Sequence, residues 1–139
     1  MASTFIHKAA GLTLALVALS TACSGGAQIL PSARVEVTTV DFGFEPSAWA
    51  VTAGTEFDVT LVNAGFNEHE WVVLEQGLQI ESASDFSEDR VLARLDKVAR
   101  DGSVDSTFTV DEAGTYQVIC SIGGHFTAGM EGTLTVVSG

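Results

Sequence analysis

Short runs of alternating apolar residues, each ended by a glycine- or asparagine-bearing turn, most constrain the architecture open to this chain. Phe57, Val59 and Leu61 follow the Ala53-Gly54-Thr55 turn with period two, and Asn63-Ala64-Gly65 ends the run before HEWVVLE at 69–75. Phe108 and Val110 precede the turn at 111–114. Tyr116, Val118 and Cys120 then share one parity, and Leu134 and Val136 share another in the last run, 132–138. Side chains of a strand alternate between its two faces, so such runs must each bury one face against a partner sheet. About seven short strands of this kind predict an all-β, antiparallel Greek-key sandwich. Two irregularities stand out. Val35 and Val37 alternate on one parity and Val40, Phe42 and Phe44 on the other, which predicts a bulge near Thr38-Thr39. Residues 85–98, DFSEDRVLARLDKV, space Val91, Leu92, Leu95 and Val98 helically and predict one short helix inserted between strands.

The N-terminal residues carry a different signal. Lys8 is followed by the uncharged apolar run 9–22, too short for a membrane-spanning helix but suited to a secretory signal peptide over residues 1–22. The run ends in small residues before Cys23, and this junction resembles the lipobox of bacterial lipoproteins, with Ser20 where Leu, Val or Ile is usual. That resemblance implies lipidation at Cys23; the small, polar residues that follow read as a flexible leash over 23–33, and the strand signals beyond them as a folded domain over 34–139. The protein is then exported, anchored to the cell-envelope membrane or soluble in the periplasm.

With 139 residues, 46% of them apolar, the chain can bury one core. A formal charge of -12 argues against nucleic acid as a partner, since phosphates would be repelled; it fits a monomer meeting basic proteins and equally a solvated acidic surface with no partner.

Chemistry concentrates at residues 120–130, CSIGGHFTAGM. Once the signal peptide leaves, every remaining histidine and methionine falls in one set with Cys120: His69, His125 and Met130. Each alone has a packing role open to it: Cys120 as a small core residue, His69 as a core histidine, Met130 as a gap filler. Together they amount to one thiolate, two imidazoles and a thioether at strand ends that a sandwich can gather at one pole. That donor set suits copper in both oxidation states. There is no histidine left for a second, catalytic copper and no second cysteine for a binuclear centre, so an enzyme is not expected.

These stretches, YQVICSIGGHFTAGMEGTLTV (116–136) and LVNAGFNEHEWVVL (61–74), resemble the cupredoxins, the small blue copper proteins, over residues 34–138. The Cys-x4-His-x4-Met spacing is similar to the auracyanin and rusticyanin type. The resemblance implies one type 1 copper ion held by His69, Cys120 and His125 in a plane, with Met130 axial. It also implies single-electron transfer with redox partners such as a cytochrome. A copper carrier, delivering the ion rather than the electron, is the alternative.

The chain departs from the family after the first histidine, where Glu70 replaces an asparagine that braces the residue following the cysteine, here Ser121. Asn63 or Asn67 is expected to take over that brace, or it is absent. Gly123-Gly124 replaces a common proline and is expected to loosen His125, making its protonation the first failure in acid. An apolar contact patch of Gly123, Gly124, Phe126 and Ala128 is expected around His125, flanked by Asp85, Glu88, Asp89 and Asp96 on one helix face.

Overall fold

The computed structural model describes residues 28–139; the expected signal peptide and the Cys23 lipidation site lie outside them. The architecture is a β-sandwich. Strands β1 (Arg34–Val40), β2 (Gly43–Glu45), β4 (Glu56–Asn63) and β7 (Ser103–Thr109) form one sheet in the order β2-β1-β4-β7. The other has the order β3-β9-β8-β5-β6, built from β3 (Ala48–Thr52), β5 (His69–Leu74), β6 (Val91–Val98), β8 (Gly114–Ile119) and β9 (Glu131–Val137). Most neighbours run antiparallel, while β1 with β4 and β3 with β9 run parallel.

The alternating residues meet between the sheets. Val35 pairs with Val59 and Val37 with Leu61, and all four are buried. Trp49 and Trp71, from the same sheet, pack edge to face within the core with ring centres 5.9 Å apart. Strand β5 is buried along its whole length because its outer face is covered too. Val72 and Leu74 lie there under Ile80, with Leu78, Phe86 and Phe126 packed around them. Burial on both faces explains why HEWVVL lacks alternation.

The predicted helix is a strand. Residues 83–85 and 88–90 form single 3-10 turns, and 91–98 form β6 at the sheet edge. Its apparent helical spacing comes from two irregularities in its pairing with β5. His69 pairs with Val98 and Trp71 with Leu95, so two steps on β5 match three on β6; Val73 with Ala93 and Leu74 with Val91 repeat the mismatch. An extra residue in one strand flips the parity of everything beyond it. Leu95 and Val98 therefore both point inward although three apart, while Leu92 stays 45% exposed.

The bulge expected near Thr38-Thr39 is not present either. β1 keeps unbroken register with β4 from Arg34 to Thr39. The parity changes because the chain reverses at Asp41-Phe42 and returns as β2, with Val40 opposite Gly43. The inward position after Val37 is filled by Thr39, fully buried, whose hydroxyl donates to Asn63 Oδ1 at 3.2 Å.

Candidate metal centre

The pairing of β5 with β8 places the start of one beside the end of the other, Val72 opposite Ile119. His69 opens β5 and Cys120 directly follows β8, so both reach the same pole. The β8–β9 hairpin sets Cys120 against Met130, whose carbonyl accepts from Cys120 N–H at 3.2 Å. Between them, residues 121–130 coil in successive turns. His125 N–H donates to Ile122, Met130 N–H to the His125 carbonyl, and Gly129 N–H to Phe126. Gly124 and Gly129 take φ of +89° and +96°, the left-handed region where glycine is favoured. The diglycine thus serves a turn, and these bonds hold the His125 backbone on both sides.

The donor atoms of His69, Cys120 and His125 lie within 4.8 Å of one another, all three residues buried. Cys120 Sγ is 3.4 Å from His125 Nδ1. His69 Nε2 is engaged by Asp41 Oδ1 at 2.7 Å, whereas its Nδ1 is buried with no hydrogen-bond partner. A buried imidazole nitrogen without a partner is costly unless something else uses its lone pair. A thiol sulfur and two imidazole nitrogens converging on one point, with the fully buried thioether of Met130 adjoining through the loop, suit one type 1 copper ion.

Burial opposes metal uptake at one ligand and favours it at another, because copper competes with protons for both. Burial pushes the Cys120 thiol up, while backbone N–H groups of Glu70 and Ile122 aimed at the sulfur work the other way. Burial, followed by the neighbouring His69, pushes His125 below its ordinary 6.5. His125 therefore stays neutral further into acid than an exposed histidine does.

Around the ligands, Glu70 itself fills the bracing role. One carboxyl oxygen accepts from Ser121 N–H at 3.1 Å and from the Ser121 hydroxyl, tying the residue after His69 to the residue after Cys120. Asn63 serves the neighbouring loop instead. Its Nδ2 donates to the carbonyls of Asn67 and Val98, and its Oδ1 accepts from Gly65 N–H. Asn67 takes part only through its backbone in these bonds.

Of the expected contact patch, Gly123, Gly124 and Ala128 are exposed, whereas Phe126 turns partly inward onto the cluster outside β5. Phe42, which the alternation placed in a strand, packs edge-on against His125 at 4.7 Å between ring centres and remains 41% exposed. Asp41 and Phe42 are the site residues that sequence reasoning missed; the one trace of them was the broken parity between Val37 and Val40. The four acidic residues share no helix face. Asp85 accepts from Ser82, Asp89 from Ser87, Glu88 pairs with Arg94 at 2.9 Å, and Asp96 is exposed on β6.

A family model described as copper binding proteins, plastocyanin/azurin family, matches residues 31–137. Among solved structures, an auracyanin from the photosynthetic bacterium Roseiflexus castenholzii superposes with TM-score 0.67 at 21% identity, covering 77% of this chain and 98% of its own. Auracyanin B gives 0.66 at 28%, covering 81% and 96%. Rusticyanin from Thiobacillus ferrooxidans gives 0.62 at 22%, covering 76% and 79%. No curated protein sequence matches the chain.

Proposed function

Because the chain belongs to the plastocyanin/azurin family of copper-binding proteins, we propose that its single type 1 site shuttles electrons between redox proteins outside the cytoplasm. Copper held by His69, Cys120, His125 and Met130 would supply the one-electron couple. The observation that carries this reading is the uneven exposure of the ligands. His69, Cys120 and Met130 are wholly buried, and His125 alone reaches the surface, 8% exposed beside Phe42 and the exposed Gly123, Gly124 and Ala128.

Such a site keeps water and exchanging ligands away while leaving one conjugated ring edge for an electron to cross. The protein's own residues fill the donor set, so no position is left open for substrate binding as in a catalytic metal site. The loop bonds around His125 and the Glu70 brace fix the donors before metal arrives, so little needs to rearrange when the charge changes. A carrier of the ion, by contrast, needs donors that exchange. We further propose that the partner is a basic redox protein such as a cytochrome, steered by the chain's charge of -12. A lipid on Cys23 would keep the exchange at the membrane.

Repeated reduction and reoxidation in the presence of a strong copper chelator separates shuttle from carrier. A shuttle retains its copper in both oxidation states and exchanges electrons with a basic cytochrome at a rate that falls as salt rises. Copper lost to the chelator on each reduction would establish the carrier instead.

A further inference from the structure

Asp41 has no place in the ligand set, yet three donors converge on it. Its Oδ1 accepts from His69 Nε2–H at 2.7 Å and from Asn67 N–H at 3.3 Å, and its Oδ2 accepts from Phe66 N–H at 2.8 Å. A carboxylate can only accept, so the imidazole proton must sit on Nε2. His69 Nδ1 is then left with a bare lone pair, and that atom is the buried nitrogen with no other partner.

Gly65 closes the loop tightly over this pair. A Cβ there would lie 2.6 Å from Asp41 Oδ1 and 2.9 Å from His69 Nε2, closer than packing allows. Asn63 ties the same loop from inside through Gly65 N–H and the Asn67 carbonyl. The carboxylate–imidazole contact is thus held from both sides of the loop.

We propose that Asp41 is the positioning residue of the copper site: it locks His69 in the tautomer that offers Nδ1 to the metal and, by strengthening that nitrogen as a donor, favours Cu(II) over Cu(I). Partners that hold the far nitrogen of a ligating histidine raise its basicity, and losing one costs about 10–100-fold in metal affinity. A more basic nitrogen and a nearby negative charge both favour the higher charge state of the ion. The inference rests on the copper reading of the site but not on the shuttle.

Two variants test it. Asp41→Asn puts an NH2 group, which only donates, where one of the two oxygens accepts, so either Phe66 N–H or His69 Nε2–H is left facing a donor. Gly65→Ala keeps both the carboxylate and the imidazole in the chain but wedges them apart. In the copper-free protein, nitrogen NMR should find His69 protonated at Nε2, with that preference weakened in both variants. In the copper-loaded protein, Cu(II) affinity should fall about 10–100-fold and Cu(I) affinity by less. The reduction potential should then rise about 59 mV for each tenfold difference between the two losses.

Equal losses in both oxidation states, with the potential unmoved, would mean that Asp41 only braces the loop and would overturn the proposal. So would an Nδ1-protonated His69 in the wild type, a result independent of any metal. If Asp41→Asn does not fold, Gly65→Ala decides by the same readouts. The wild-type copper spectrum, recorded first, separates failure of this inference from failure of the copper reading.

Discussion

Replacing Glu70 tests how the two ligand-bearing strand ends are joined. Glu70 is buried, 3% exposed, and its carboxyl accepts from both the amide and the hydroxyl of half-buried Ser121. In Glu70→Ala both donors lose their acceptor, but not at equal cost. The Ser121 hydroxyl can rotate towards another acceptor or solvent, whereas the amide is fixed by the backbone and cannot. Leaving one such group unsatisfied costs about 1–3 kcal/mol, so a loss of about 2 kcal/mol is expected for the copper-free protein. At about 4 °C per kcal/mol for a domain of this size, Tm should fall by about 8 °C. Glu70→Gln keeps a carbonyl oxygen for the amide and should lose under about 1 kcal/mol. Urea and thermal unfolding of the three copper-free proteins would show the order wild type, Gln, Ala. If Glu70→Ala stays within about 0.5 kcal/mol of wild type, or if Gln is the worse of the two, the brace does not have the role assigned to it.

Other outcomes follow from the same structure. Leu95→Ala, at a fully packed position, should cost about 2–5 kcal/mol, while Leu92→Ala, at an exposed one, should fall within about 0.5 kcal/mol in chemical denaturation; equal losses would contradict the β6 register. Asp41 is held down at about 2, first by Phe66 N–H and then by His69 and Asn67, against an ordinary 3.8. A depressed carboxyl stabilises the fold above its ordinary value, and that contribution disappears as pH falls towards 2. The stability gap between wild type and Asp41→Asn should therefore narrow between pH 5 and 2, and a constant gap would contradict the assignment. Copper uptake must expel the proton that burial favours on Cys120, so Cu(II) affinity should fall about tenfold per pH unit on acidification near neutrality; competition titrations showing no pH dependence would refute it.

The convergence of His69, Cys120 and His125 was legible from the sequence because its signal is largely local. Cys120, His125 and Met130 share one loop, and His69 opens a strand whose run is unmistakably apolar. The sandwich was legible for a related reason, since period-two alternation in 57–61 and 134–136 reports directly which face is buried. The helix over 85–98 was misread because two pairing irregularities gave Leu95 and Val98 a spacing of three, and only the partner strand β5 distinguishes that from a helical turn. Asp41 escaped notice because its role depends on a reversal between β1 and β2 and on a loop 25 residues further on. No spacing within its own segment points to His69. Glu70 was recognised as a departure, but the sequence could not show that its longer side chain reaches Ser121 without help from Asn63 or Asn67.

The proposed function rests on His69, Cys120, His125 and Met130 holding copper as one type 1 site. Its most direct test is to add one equivalent of Cu(II) to the purified protein and record visible absorption and electron paramagnetic resonance, alongside Cys120→Ser. A type 1 site gives an intense thiolate-to-copper band and a narrow hyperfine splitting, both lost in the variant. A faint d–d spectrum with ordinary splitting, unchanged by Cys120→Ser, would contradict it.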